Sequence, residues 1–222
     1  MLLALKLFLV PPFVILISYI QKRWGHGIGG KLLGFPIITG PFLLIIYLQE
    51  GRTYAAAATH GVLIGQIVLM TFLWSYSKTA IQISWVPALA TATFLNLCLG
   101  AFLSSFAISL PLTLTLLVLT WASTMKFWPE YSPPAKERKS PRWELPARVL
   151  ASVALILILT GLANTLGARV AGALSTYPVI ISVLGSSNHR RSGSDALLAT
   201  THGLLKTLPL AIGFTVVLAL TL

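Results

Sequence analysis

The sequence is a succession of apolar runs, each close to the roughly 20 residues that an α-helix needs to cross a hydrocarbon core about 30 Å thick. They fall near residues 2 to 20, 31 to 49, 54 to 76, 79 to 97, 101 to 122, 146 to 165, 168 to 187 and 195 to 221. In lipid the backbone N–H and C=O groups must be satisfied internally, which leaves only helices and closed barrels. Runs of this length select helices, so the sequence predicts an all-α integral membrane protein of about eight transmembrane helices. The stretch 79 to 122 is divided because about 44 residues of unbroken helix would be roughly 66 Å long. Leu99-Gly100 is the expected turn. The first twenty residues hold one early lysine and no small-residue cleavage pattern, and are expected to stay as the first span.

Only 9% of the residues are charged and 56% are hydrophobic, where a soluble domain has roughly 25% charged. The net charge of +11 would suggest nucleic acid in a soluble protein. Here the basic residues cluster between apolar runs, which is a topology signal, and no nucleic-acid partner is expected. With eight spans one side receives Lys22, Arg23, Lys31, Lys78, Lys126, Lys136, Arg138, Lys139, Arg142, Arg148, Arg190 and Arg191, and the other only Lys6, Arg52 and Arg169. Cytoplasmic loops are the Lys/Arg-rich ones, so a multi-pass protein of a bacterial inner membrane with both termini outside is expected. The one long connection, Trp128 to Pro146, is rich in proline and charge, and is read as a cytoplasmic linker able to touch anionic headgroups. Cys98 is the single cysteine, which excludes intrachain disulfides and thiolate metal clusters.

Shifting the chain by 142 residues aligns Gly25, Gly30, Pro36, Gly51, Thr59, His60 and Gly61 with Gly167, Gly172, Pro178, Gly193, Thr201, His202 and Gly203. A Thr-His-Gly triplet, a proline and several glycines are not matches that apolar bias supplies. The copies begin five crossings apart, so equivalent helices run in opposite directions. Residues 1–78 are read as repeat 1, 79–123 as a central helix pair, 124–145 as the basic linker, and 146–222 as repeat 2, inverted relative to repeat 1. Inverted repeats about an axis in the membrane plane are a recurring plan of secondary transporters.

Each copy carries a proline about a turn and a half into the membrane, in GGKLLGFPIITGPF and in ARVAGALSTYPVII. Proline removes a backbone donor and clashes with the preceding turn, and freed groups at that depth are tolerated only in protein or at a cavity. Gly30, Gly34, Pro36, Gly172 and Pro178 are therefore the expected helix breaks. His60 and His202 sit six residues into their spans, roughly 9 Å along each helix, where a histidine can relay protons or bond a neighbouring helix. Depth matching predicts two cross-repeat clusters, His60 with Ser175, Thr176 and Tyr177, and His202 with Thr39. Lys206 shares the face of His202 and could pair with an anionic substrate or reach the surface.

The five acids, Glu50, Glu130, Glu137, Glu144 and Asp195, all fall in loops or at span ends. Cation export and divalent-ion binding commonly use buried carboxylates, so anionic, zwitterionic or neutral cargo is expected, with no metal and no cofactor. There is no HExxH or GxSxG, and no enzymatic activity is expected. The pattern of GGKLLGFPIITGP, WELPAR and TYPVIISV followed by HRRSG resembles small bacterial inner-membrane proteins with an internal repeat. The resemblance spans most of the chain and carries no activity or ligand with it. The reading is a small secondary transporter working by alternating access between two repeats, proton-coupled through histidine, in a bilayer, and able to pair as a homodimer. Two rivals stand beside it: a non-transporting subunit or assembly factor that presents the basic loop to a partner, and a lipid translocator.

Overall fold

The computed structural model describes residues 2–37, 39–132, 141–165 and 177–222. These form α1 (Leu2–Trp24), α2 (His26–Leu33), α3 (Thr39–Ala80), α4 (Trp85–Leu103), α5 (Leu110–Lys126), α6 (Glu144–Thr165), α7 (Val179–Ser192) and α8 (Ser194–Thr221), with no strand among the described residues. Four of them, α3, α4, α6 and α8, are long and apolar enough to cross a membrane. Their outer faces carry Leu48, Phe94, Leu150 and Val217, each at least 60% exposed. Water does not tolerate so extensive an apolar surface, so the molecule is membrane-embedded.

The expected boundaries of the central pair shift. α4 continues through Gly100 to Leu103, and the turn lies at Ser104 to Ser109 rather than at Leu99-Gly100. Gly100 is buried on the inward stripe of Ala88, Ala92 and Asn96, where a small residue lets helices approach rather than stopping one. The chain turns where serines compete with the backbone: the Ser104 and Ser105 hydroxyls donate to the Ala101 carbonyl at 3.0 and 2.8 Å. Pro111 then lies in the first turn of α5, where its missing N–H costs little.

The span expected at 31 to 49 is divided. α2 ends at Leu33, and Pro36 accepts the first backbone bond of the next helix, from Gly40 N–H at 2.8 Å. Gly30 is not a break. It lies inside α2, packed so tightly that an added Cβ would collide with the Thr200 backbone, as one on Gly34 would collide with the Thr207 hydroxyl and one on Gly203 with the Gly27 carbonyl. These glycines bring α2 and α8 into backbone contact. Pro178 precedes the first residue of α7 and acts as its N-cap, while Gly172 lies outside the described residues.

α3 is interrupted at Gly51, with φ 80° and ψ −179°. Gly193, between α7 and α8, has φ 85° and ψ 179°. This region of backbone space is essentially reserved for glycine. The helices that follow the two glycines pack against each other and are antiparallel. Arg52 donates to the Thr221 carbonyl at 2.9 Å, Gln66 to Thr215 at 3.5 Å, and Ser77 pairs with Thr201 at 2.9 Å. Around this pair the core gathers Phe72, Leu73, Tyr76, Leu197, Leu205 and Leu208. A second cluster joins α1 through Val10, Val14 and Ile17 to Ile156 of α6 and Leu184 of α7.

Candidate functional site

Among the described residues, a dense polar constellation forms where the start of α6 meets the end of α7. Glu144 stands in the first turn of α6 and Arg190 and Arg191 in the last turn of α7. Each complements its helix dipole, acid at the N-terminus and base at the C-terminus. Pro146 fits the first turn of α6 because its missing donor is unneeded there. Arg148, one turn on from Glu144, faces the same way.

Arg148 is 9% exposed and Glu144 4%. The guanidinium donates from Nη2 to Glu144 Oε1 at 2.7 Å and to Asn188 Oδ1 at 3.0 Å, from Nε to Ser187 at 3.0 Å, and from Nη1 to Ser18 at 3.0 Å. Glu144 Oε1 also accepts from the Ser187 hydroxyl at 2.9 Å, and Oε2 forms an ion pair with Arg191. Asn188 extends the network by donating to Thr200 at 3.0 Å and to Gln21 at 3.4 Å. His26 of α2 is buried beside it, and burial first, then the Arg148 and Arg191 charges, push its pKa from 6.5 down to about 4. Five helices, α1, α2, α6, α7 and α8, thus meet at one charged, hydrogen-bonded knot. Such burial is costly unless every group is paired, and here the carboxylate and both arginines are.

Beside the knot lies a cavity of about 640 Å³, within the roughly 300–1,000 Å³ of ligand sites. It is bounded by Trp85 and Leu89 of α4, by the α6 face from Glu144 through Ala147, Ala151 and Ala154 to Ile158, and by Ser182, Ser186, Ser187, Arg190 and Arg191 of α7. Tyr177 closes one wall; its hydroxyl pairs with Thr93 at 2.9 Å and its ring meets the edge of Phe72. Arg190 lies over the Trp85 ring at 6.0 Å.

The residues singled out in the sequence are distributed differently from expectation. His60 Nε2 bonds Thr113 at the start of α5, at 3.0 Å. The Thr113 hydroxyl already donates to the Ser109 carbonyl, so the histidine donates from Nε2. Tyr177 does not join it: its partner Phe72 lies twelve residues, roughly 18 Å, further along α3. Ser175 and Thr176 lie outside the described residues. His202 stacks on Trp128 at 5.3 Å and 17°, and its Nδ1 pairs with the Tyr131 hydroxyl at 3.1 Å, whereas Thr39 is a half-buried residue opening α3. The reason is α5, which packs on α3 and whose C-terminal extension reaches His202. The first residues of the linker are therefore docked, with Pro129 buried. Lys206 is exposed on α8.

The sequence reading missed Glu144, Arg148, Asn188, Gln21 and His26 as a group. The signal for Glu144, Arg148 and Asn188 was the WELPAR and NHRRSG segments, and for Gln21 and His26 the QKRWGH segment, in which charge stands at the margin of an apolar run. Among the described residues no three His, Cys, Asp or Glu side chains are placed to hold a metal. The chain matches no protein family, no curated protein and no solved structure.

Proposed function

We propose that the chain is a small secondary transporter that works by alternating access between two inverted repeats, its cargo bound in the cavity between α4, α6 and α7. The observation that carries this is the paired break. Gly51 and Gly193, which the 142-residue shift makes equivalent, share one glycine-only conformation, and the helices that follow them pack antiparallel. Two halves related in this way can exchange conformations, which opens a central site to one side and then the other.

The Glu144–Arg148–Arg191 knot is suited to close the basic end, since it ties α6 to α7 and α1 by bonds that a rocking motion must break. In repeat 1 the positions equivalent to Glu144 and Asn188 are Leu2 and Ile46, and those equivalent to Arg148 and Arg191 are Lys6 and Gln49, so the carboxylate of the knot has no counterpart at its equivalent position. Three arginines against one carboxylate at the cavity favour an anionic cargo over a cationic one. The groove's exposed flank along α6, at Ala151, Ala154 and Ile158, favours a second reading, a lipid translocator loading sideways from the bilayer.

The test is counterflow in proteoliposomes preloaded with organic anions, amino acids, sugars or short-chain lipid analogues. Saturable exchange of one class, abolished by Glu144→Gln, is expected. Flux no greater than in empty vesicles across the whole panel, from folded protein, would turn the assignment to a non-transporting subunit.

A further inference from the structure

We propose that the groove between α4, α6 and α7 holds one anionic amphiphile drawn from the membrane, with its acidic head at Arg190 and Arg191 and its acyl chain along α6 past Ala151 and Ala154. The proposal rests on taking this groove as the cargo site and names the class of that cargo.

The groove changes character along its length. At one end stand Arg148, Arg190, Arg191, Ser187 and the rings of Trp85 and Trp143; at the other the α6 wall is alanine, leucine and isoleucine. Indole rings prefer the level of lipid headgroups, which sets the charged end there. From Glu144 to Ile158 the wall runs about 21 Å along the helix, more than the roughly 15 Å of half a hydrocarbon core. Head and chain thus find matching surroundings at matching depths.

Charge complementarity decides the head. Among the described lining residues three guanidiniums, those of Arg148, Arg190 and Arg191, stand beside one carboxylate, Glu144. Arg190 is exposed, and its placement over Trp85 is a ring-face contact that leaves guanidinium N–H donors for an acceptor. A compact free anion would occupy only this end. A sugar or zwitterion filling the groove would need several polar partners deeper in, where the described lining offers the Ser182 hydroxyl, its proton given to the Pro178 carbonyl at 2.9 Å and only its lone pairs left to accept, and the Tyr177 hydroxyl, already paired with Thr93. Ala147, Ala151 and Ala154 replace bulk with the room that a chain needs.

The experiment uses the full chain in dodecyl maltoside and counts adducts by intact-protein mass spectrometry. The probes are dodecyl phosphate, hexadecanoate, inorganic phosphate and dodecyltrimethylammonium. A one-to-one adduct with the first two and none with the last two is expected. Arg190→Gln and Ala154→Phe change exposed positions, so both should fold, as thermal unfolding will verify, and each should weaken the adduct at least fivefold. Equal binding of inorganic phosphate, equal binding of the cation, no adduct on folded protein, or binding indifferent to Ala154→Phe would each overturn the assignment. Counterflow separates this from the transport reading. Binding without flux defeats transport and leaves the ligand class standing; flux of a compact anion unaffected by Ala154→Phe does the reverse.

Discussion

Removing both charges of the buried Glu144–Arg148 pair should cost much less than the sum of removing each alone. Glu144→Gln keeps the shape and an acceptor for Arg148 and Ser187 but takes the carboxylate away from the Arg148 guanidinium, which is only 9% exposed. Breaking a buried ion pair from one side typically costs about 3–5 kcal/mol. Because Ser18, Ser187 and Asn188 still accept from Arg148, the lower end, about 3 kcal/mol, is expected. Arg148→Met should cost about the same, because Asn188 and Ser18 lose a donor and Glu144 loses one of its two cations. In the double variant no uncompensated charge remains at the centre, and Arg191, with its side chain 19% exposed, can turn toward water. The double should then cost about 4 kcal/mol, a coupling of about 2 kcal/mol. Unfolding in mixed micelles by increasing dodecyl sulfate, followed by tryptophan fluorescence, measures all three. Additivity within about 0.5 kcal/mol would falsify the view that these residues act as one unit.

Three further perturbations test other parts of the fold. His26 has a folded pKa of about 4, below its ordinary 6.5, so the unfolded chain binds more protons between these values. Stability is therefore full above pH 6.5 and falls as pH drops toward 4, by about 2 kcal/mol between pH 7.5 and 5; a His26→Gln variant should show a flatter profile in the same unfolding assay. Gly51→Ala and Gly193→Ala should each destabilise by about 1–3 kcal/mol, since alanine cannot hold their backbone conformation without strain. If only one of the two does, the equivalence of the breaks fails. Gly30→Ala drives a methyl into the Thr200 backbone and should cost about 1–3 kcal/mol. Gly61→Ala, which has open space around it, should be neutral or stabilising by up to about 1 kcal/mol, and thermal melts of the two side by side check the packing.

The sequence by itself determined that this chain is helical and membrane-embedded, because the length and purity of an apolar run reflect the bilayer's thickness directly. It placed the edges of α6 and α8 to within two residues, since there charge gives way abruptly to hydrocarbon. The 142-residue shift set Gly51 against Gly193, and both hold a backbone conformation that only glycine adopts. What only the tertiary structure decided is which polar residues meet. His60 and His202, conspicuous in one dimension, each turn to α5 or its extension, His60 to Thr113 and His202 to Trp128 and Tyr131. Glu144, Arg148, Asn188 and Gln21, inconspicuous at the margins of their segments, converge from three helices into the buried knot beside the cavity. Helical periodicity assigns a residue to a face of its own helix, but it cannot say which neighbour that face meets. For a charge at the end of a span, the choice between headgroup and buried partner depends wholly on that neighbour.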